Sequence, residues 1–292
     1  MDDVKACKVS VVMAVFNSEK YLRETLDSII DQSLNDIEVI CVDDGSTDTS
    51  VEIIKEYCEK DSRVKLLMQE EESNNAAKAR NLGIKHSIGE YIAVLDSDDL
   101  FEKDLLRTAY ETAIMEDADV VAYDGFVYDT ANQMDLYQFW MIEWDRLKGK
   151  TTIERGELLD ELFLLKTPAA WNMICKRKMI VEYDIRFRAI PYYDDLEYTC
   201  LALCYAKRIS FCKNRFIHYR READGNQSSK LNSIITNSCE PIVSLGHQLQ
   251  KRGIYDLFKN TFIAFFLRMS LHTLRFVENR TDARILFDRV KE

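Results

Sequence analysis

The stretch YIAVLDSDDL, residues 91–100, runs from an apolar segment straight into three carboxylates in four positions. Those carboxylates, on Asp96, Asp98 and Asp99, repel one another, so they are a poor way to end a strand unless positive charge lies beside them. The five apolar-leaning residues before them are typical of a strand buried on both faces of a sheet. The stretch therefore predicts a ligand site at the end of a buried strand.

Strand-like and helix-like segments alternate over the first 125 residues, with short connections between them. Apolar strands separated by helices indicate a parallel sheet that is covered on both faces, so we predict an α/β fold. The expected strands are Val9–Val15, Ile37–Asp44, Val64–Met68, YIAVL and Ala118–Tyr123; the expected helices are NSEKYLRETLDSIIDQ with Ser18 as its cap, TDTSVEIIKEYCEK, AAKARNLGIKHS and KDLLRTAYETAIME.

The alternation loosens after residue 125. Glu154–Leu165 predicts a helix, and Thr167–Asn172 (TPAAWN) predicts a loop. A helix is expected for DDLEYTCLALCYAK, a strand for RISFCKNRFIHYR, and helices for the last 60 residues. The second half is therefore interpreted as an extension of the same domain followed by a helical tail.

Composition narrows the class of protein. With 292 residues and 47% hydrophobic residues, the chain can bury a large core. Its 50 acidic and 39 basic residues give a net charge of -11, which argues against a general nucleic-acid partner. The N-terminal apolar stretch is short and follows acidic residues, and no window reaches the length of a membrane span. We therefore expect a cytoplasmic protein.

Eight cysteines are scattered along the chain without a CxxC pair. Cys200 and Cys204, with Cys212 after them, invite a zinc interpretation. No second pair or neighbouring histidine completes a tetrahedral set, so we interpret these cysteines as small core residues.

Acidic residues end two of the predicted strands: Asp43 and Asp44 after one, and the carboxylates of YIAVLDSDD after another. Ligands of open parallel sheets bind beyond the carboxyl ends of the strands, so both clusters are expected to face one crevice. Two carboxylates about 6 Å apart at an effective dielectric constant of about 20 repel by roughly 3 kcal/mol. Oxygen-only ligands favour Mg²⁺ or Mn²⁺, which takes phosphate oxygens as well. A metal carried with a diphosphate is the predicted partner.

Simpler roles for the same residues stay open. Asp96 and Asp98 could form a turn and a helix N-cap, with Asp99 as the candidate for the cap itself. Ser46 or Asp48 is expected to cap the next helix. The sequence has no GxGxxG after its first strand, no GxxxxGK[ST] and no GxSxG, which indicates a nucleotide bound by side chains rather than by a glycine cradle.

Three segments together carry a family resemblance. The segments VSVVMAVFNSEKYLRETLDSIIDQS, IEVICVDDGSTDTS and KARNLGIKHSIGEYIAVLDSDD resemble, in order, the motifs of family 2 glycosyltransferases, which are inverting enzymes with the GT-A fold. The resemblance is close over Val9–Asp119 and looser beyond it. It implies a catalytic domain over residues 1–228, with a nucleotide-sugar half (1–125) and an acceptor half (126–228), and a helical extension over 229–292.

The resemblance also implies roles for individual residues. Asp98 is expected to be the direct metal ligand, with Asp96 contacting the metal's water or the ribose. Asp195, in IPYYDDLEYT, aligns with the general base. The donor is expected to contact Val15, Asn17, Asp44, Arg80 and Asp96, and the acceptor to contact Trp171, Asn172 and Asp194.

Some positions depart from the family pattern. Ala14 stands where proline is usual, Met173 where lysine is common, and Asp194 where glutamate is often found. The usual glycine-rich stretch before the ARN segment is here SNNAAK. None of these changes removes a carboxylate from the predicted site.

The expected reaction transfers a sugar from a nucleotide sugar, UDP-linked by family frequency, to a saccharide or lipid-linked acceptor in surface or capsular polysaccharide synthesis, with Mn²⁺ or Mg²⁺. His218 and Arg220 are candidates to close over the diphosphate. The amphipathic segment 257–276, with Arg268 and Arg275, is interpreted as packing on the catalytic domain; peripheral membrane contact or a homodimer is the alternative. A non-catalytic nucleotide-sugar binder and a receiver-like phosphoacceptor are the rival functions.

Overall fold

The computed structural model describes residues 7–69, 75–129, 134–136, 141–190, 193–221 and 240–274. The strands are β1 (Val9–Val15), β2 (Ile37–Asp43), β3 (Val64–Met68), β4 (Tyr91–Val94), β5 (Leu100–Phe101), β6 (Val120–Asp129), β7 (Met134–Leu136), β8 (Thr152–Glu154), β9 (Met173–Lys176) and β10 (Arg208–Arg221). The helices are α1 (Leu22–Ile30), α2 (Ser50–Lys60), α3 (Ala76–His86), α4 (Leu105–Met115), α5 (Arg177–Glu182), α6 (Asp194–Tyr205), α7 (Glu240–Lys251) and α8 (Tyr255–Leu274).

All ten strands within the described ranges belong to one sheet, whose main path is β3-β2-β1-β4-β9-β6-β10-β5. The first four strands are parallel, as predicted. Strand β9 then pairs antiparallel with both β4 and β6, and β6 runs parallel to β10. The predicted mostly parallel sheet flanked by helices is confirmed, with an antiparallel strand joining its two halves.

The order of the parallel strands reverses at β1, which has β2 on one side and β4 on the other. Neighbouring strands lie about 4.8 Å apart, so the residues that end β2 and β4 stand roughly 10 Å apart across the end of β1. Val15, the last residue of β1, is in register with Asp43. This reversal is where open α/β sheets bind ligands.

Helix α3 packs very closely on this part of the sheet. A Cβ built on its Gly83 would lie 2.4 Å from a methyl carbon of Val12. The missing side chain therefore lets the helix approach the sheet, and the approach fixes the position of Arg80 one turn earlier on α3.

Some predicted boundaries are wrong. Ser18 is not the cap of α1, which begins at Leu22; the Ser18 carbonyl accepts hydrogen bonds from Tyr21 and Leu22 in the turn before it. Asp99 is not a helix cap either, since it precedes strand β5 and α4 begins only at Leu105. The segment predicted as helix over Glu154–Leu165 is the end of β8 followed by a short 3₁₀ helix over Leu159–Leu164.

The C-terminal helices α7 and α8 share a hydrophobic core with the rest of the described chain. Phe163, on the 3₁₀ helix, packs against the rings of Phe258 and Phe265 on α8, with ring centroids 6.2 and 6.0 Å away. Arg268 donates to Glu143 at 2.7 Å. The packing interpretation of α8 is thus supported, while Arg275 lies outside the described residues. No helix in the described ranges is long and apolar enough to cross a membrane.

The predicted domain division stays a prediction. Strand β6 runs from Val120 to Asp129 and so crosses the boundary proposed at residue 125. The predicted core role of Cys200, Cys204 and Cys212 agrees with the structure, in which all three are buried free thiols.

Candidate active site

The residues predicted to bind the nucleotide lie in part at the ends of β1 and β2. Asp44 is buried, and its two carboxylate oxygens accept hydrogen bonds from Gln69 Nε2 at 2.8 Å and from the backbone N–H of Asn75 at 3.1 Å. Two loops thereby hold the carboxylate in a fixed orientation at the crevice.

Val15 and Asn17 support this side of the site. The Val15 side chain is fully buried, and its carbonyl accepts the Asp44 N–H at 2.9 Å, so Val15 offers no side chain to a nucleotide. Asn17 has a φ of 48°, in the left-handed region, and its Oδ1 accepts the Thr47 N–H at 2.8 Å. Asn17 therefore ties the loop after β1 to the loop after β2.

The carboxylates after β4 have three different surroundings. Asp96 accepts a hydrogen bond from Arg80 Nη2 at 2.8 Å. Asp98 is half-buried, and burial, followed by the charge of Asp96, raises its pKa to about 6. Asp99 is fully buried; its Oδ1 accepts the Arg220 N–H at 2.8 Å, and burial raises its pKa well above the usual value. Asp99 is therefore a structural residue that joins β5 to β10.

A divalent cation fits the donor set of this loop. Asp98 and Asp96 offer carboxylate oxygens, the ligands that Mg²⁺ and Mn²⁺ prefer, and burial disfavours the charged form of Asp98 until a cation compensates it. Among the described residues, no group of three or more His, Cys, Asp or Glu side chains is arranged to hold a metal by itself. The other ligands would thus be water and phosphate oxygens, as is usual for Mg²⁺.

Arg80 is a positive charge beside the carboxylates that follow β4. Its Nη1 donates to Asp194 Oδ2 at 2.7 Å while its Nη2 donates to Asp96 Oδ1, and its guanidinium lies 5.2 Å from the centre of the Phe187 ring. Burial opposes the charge, but the Asp194 and Asp96 carboxylates outweigh it and raise the pKa of Arg80. Arg80 was predicted beside the base and phosphates; in the structure it joins the carboxylates after β4 to those at the start of α6.

Asp194 and Asp195 lie in the first turn of α6. The residue before them, Tyr193, is in the N-cap position, so neither aspartate caps the helix. Asp195 Oδ2 accepts the Ala170 N–H at 3.2 Å. Burial, and then the neighbouring charge of Asp194, raises the pKa of Asp195 to about 7. A carboxylate with that pKa can accept a proton near neutral pH.

Two of the residues predicted to contact the acceptor, Trp171 and Asn172, lie in the loop before β9. The half-buried Trp171 ring stacks on Tyr219, with ring centroids 5.5 Å apart and planes at 12°. Asn172 is 0% exposed, and neither atom of its amide has a hydrogen-bond partner among the residues the structure describes. The predicted contact of Asn172 with an acceptor sugar stays a prediction.

His218 and Arg220 contact different side chains among the described residues. His218 Nε2 lies 2.7 Å from Glu102 Oε1, and its ring stacks on Phe126. The Arg220 guanidinium lies over the Tyr21 ring at 4.4 Å and donates to Glu24. The charge of Arg220 also acts on Asp98, whose pKa it lowers against the effect of burial. The role of both residues over a diphosphate stays a prediction.

Sequence reasoning missed Lys166, a lysine that is 3% exposed. Its ammonium donates to the carbonyl oxygens of Thr167 at 2.7 Å and Ala169 at 2.8 Å. Burial lowers the pKa of Lys166 to about 8, and the charge of Asp195 opposes that shift. The available signal was a lysine placed directly after the apolar run LFLL.

The sequence model of Glycosyl transferase family 2 matches residues 10–167, more than half of the chain. The chain belongs to glycosyltransferase family 2.

Individual family members show how far the similarity extends. Glycosyltransferase GlyG of Streptococcus pneumoniae is 42% identical over 124 residues, which cover 42% of this chain and 41% of GlyG. The structure of Staphylococcus aureus TarS 1-349 in complex with UDP-GlcNAc has a TM-score of 0.73 at 21% identity, covering 96% of this chain and 79% of that one. Mannosyltransferase PcManGT from Pyrobaculum calidifontis, in complex with GDP-Man and Mn²⁺, has a TM-score of 0.57 at 17% identity, covering 97% and 79%.

These findings confirm the predicted family, the GT-A fold and the assignment as a glycosyltransferase enzyme. The family match argues against the receiver-like phosphoacceptor. This family 2 chain spans only about two fifths of GlyG and three fifths of a Bacillus subtilis relative. Asp44, Arg80 and Asp98 lie inside the family match, whereas Asp194 and Asp195 lie beyond it.

Proposed function

We propose that this glycosyltransferase transfers a sugar from a UDP-sugar to a hydroxyl of a glycan or lipid-linked saccharide, with inversion and with Mn²⁺ or Mg²⁺, in the synthesis of a surface polysaccharide. The observation that carries the proposal is the bridge made by Arg80. It brings the carboxylates at the donor end of β4 and those at the start of α6 to opposite sides of one guanidinium. A TarS structure with bound UDP-GlcNAc shares the fold and supports a nucleotide-sugar donor.

The reaction needs one base and one stabilised leaving group. Asp195 takes the proton of the acceptor hydroxyl while the hydroxyl oxygen bonds to the anomeric carbon of the sugar. The bond from that carbon to the phosphate oxygen breaks on the opposite face. The electron pair leaves with the nucleoside diphosphate. A divalent ion held by Asp98 and Asp96 would neutralise the charge that grows on that diphosphate. Asp44 orients the nucleoside, and Arg80 joins Asp96 to Asp194.

Donor binding should depend on Asp98. We expect a UDP-sugar with Mn²⁺ to raise the melting temperature, since a ligand at about 100 times its Kd adds about 2.7 kcal/mol of stability. Asp98→Asn should remove the part of the shift that requires Mn²⁺, because it removes a charged oxygen ligand. A thermal-shift panel of UDP-sugars and GDP-Man, with Mn²⁺, Mg²⁺ or EDTA, measures this.

The matched control is Asp117→Asn, whose side chain is 84% exposed and lies far along the sequence from the carboxylates of the site. It should respond to donor and metal as the wild-type enzyme does. A panel in which no nucleotide sugar gives a metal-dependent shift would remove the donor half of the proposal.

The kcat/KM of sugar transfer should decrease as the pH is lowered, with a midpoint near pH 7; this decrease is the acid limb of the pH profile. The folded-state pKa of Asp195 is raised to about 7, and a general base works only when deprotonated, so kcat/KM should increase with pH through 7 and level off above it. Asp194 raises this pKa and Arg80 lowers it. Asp194→Asn should therefore move the acid limb to lower pH. An unchanged limb in that variant would assign the limb to another group.

A further inference from the structure

Lys166 is a buried cation near the proposed catalytic base, and it donates hydrogen bonds to two main-chain carbonyls. Burying an ammonium is costly, and a nonpolar residue of similar size would avoid the cost. The neighbours of Lys166 along the chain, Leu164 and Leu165, are buried core residues. The buried charge of Lys166 is therefore expected to have a function that offsets its cost.

The backbone around Lys166 is firmly anchored. Lys166 forms an antiparallel bridge with Ile142, and the N–H of Thr167 donates to the Met141 carbonyl at 2.9 Å. The side chain then curls back over its own loop, where it binds the carbonyls of Thr167 and Ala169. The ammonium thus fixes the orientation of the peptide groups in the loop that precedes Trp171.

One of those peptide groups contacts the catalytic base. The carbonyl of Ala169 accepts from the Lys166 ammonium, and the N–H of the same peptide, on Ala170, donates to Asp195 Oδ2. The peptide is trans, so its C=O and N–H point in opposite directions, toward the ammonium and the carboxylate respectively. A cation on the carbonyl also polarises the peptide and strengthens its N–H as a donor.

We propose that Lys166 is a positioning residue, which acts through the Ala169–Ala170 peptide to hold and ionise the carboxylate of Asp195. The inference rests on the proposed function of Asp195 as general base. With Oδ2 occupied by the Ala170 N–H, Oδ1 is left to take the acceptor proton. The long-range charge of Lys166 acts in the same direction as the hydrogen bond, since both favour the carboxylate form.

The first test measures the ionisation of Asp195 directly. In Lys166→Met the titration midpoint of the Asp195 carboxyl should rise by about one unit, because an opposite charge and a polarised donor are lost. The measurement is a ¹³C NMR pH titration of protein labelled at aspartate Cγ, with the Asp195 signal assigned by Asp195→Asn. The other charges facing Asp195, on Asp194, Arg80 and Asp96, are unchanged in this variant.

The control variant is Lys176→Met, which removes a partly exposed lysine that pairs with Asp117 and Asp119. It should leave the Asp195 midpoint in place. If Lys166→Met lowers only the melting temperature and leaves the midpoint where it is, Lys166 is merely structural and the inference is overturned.

The second test uses transfer itself. The acid limb of kcat/KM in Lys166→Met should move to higher pH by the same shift, while the thermal shift with a UDP-sugar and Mn²⁺ stays at the wild-type value. If the enzyme transfers no sugar at all, the proposed function fails, but the NMR titration still decides the role of Lys166. The two failures are thereby distinguished.

A reciprocal test covers the case in which Lys166→Met does not fold. Coupling between two sites is symmetric, so removing the Asp195 charge must change the titration of Lys166. Lys166 should be recognisable in ¹³Cε-lysine spectra by a midpoint near 8, below the 10.4 or so of ordinary lysines. Asp195→Asn should lower that midpoint. An unchanged midpoint overturns the inference.

Discussion

Asp195→Asn should lower kcat for sugar transfer by about 10²–10⁴-fold, the usual contribution of a general base. The amide keeps the size of the carboxyl and can still accept the Ala170 N–H through its oxygen, but it cannot take the acceptor proton. Donor binding should survive, because the Asp44 and Asp98 carboxylates are untouched. The measurement pairs release of UDP in the presence of acceptor with the thermal shift by donor and Mn²⁺.

The control for this prediction is Asp145→Asn, an exposed aspartate in the 3₁₀ turn over Trp144–Leu147. It should transfer at the wild-type rate. Transfer by Asp195→Asn within about tenfold of wild type would mean that another group takes the proton. An acid limb still near pH 7 in that variant would point to the same conclusion.

The parallel half of the fold was predictable because its signals are local. Each of strands β1 to β4 is an apolar run, β1 to β3 pair with strands that neighbour them in the chain, and β4 pairs with β1 where the strand order reverses. Asp44, Asp96 and Asp98 come shortly after strands in the chain, at the edge where such a sheet binds ligands. Composition and spacing therefore sufficed to place them at one edge.

The parts that were wrong depend on distant contacts. Strand β5 has only two residues and exists because Ile217 and His218 of β10 pair with it. The segment over Leu159–Leu164 has helical spacing, but it forms a 3₁₀ helix whose Phe163 N–H donates to Thr261 of α8. The local preferences of the residues for helix or strand give no information about these distant partners.

The site was predicted residue by residue, but its connections were not. Arg80 reaches Asp96, sixteen positions away, and Asp194, 114 positions away. Lys166 acts on Asp195 through a peptide group that carries no side-chain signal at all. Pairings of this kind are set by the tertiary fold, and one sequence indicates only which groups are available for them.

Arg80→Met should destabilise the enzyme by about 3 kcal/mol, the lower end of the cost of breaking a buried ion pair. The Arg80 side chain is 13% exposed, and its loss leaves the carboxylates of Asp96 and Asp194 facing each other without a shared cation. Protonation of one carboxylate relieves part of the cost, which is why we expect the lower end. Urea unfolding followed by circular dichroism measures the change.

Arg23→Met is the matched control, because Arg23 also donates to a carboxylate through two nitrogens, at 2.8 and 2.9 Å from Glu56, but on the surface. Exposed ion pairs contribute little, so its urea midpoint should stay close to wild type. Arg80→Lys should recover only part of the loss, because an ammonium does not reproduce the fixed fork that reaches both carboxylates.

The same Arg80→Met variant should lose transfer by more than its stability loss explains. Arg80 lowers the pKa of Asp195, so its removal leaves a larger fraction of the base protonated near neutral pH and moves the acid limb of kcat/KM to higher pH. Adding Asp194→Asn to Arg80→Met removes one of the uncompensated carboxylates and should restore part of the stability. If Arg80→Met unfolds at the same urea concentration as Arg23→Met, and its acid limb stays in place, the bridge does not organise the site.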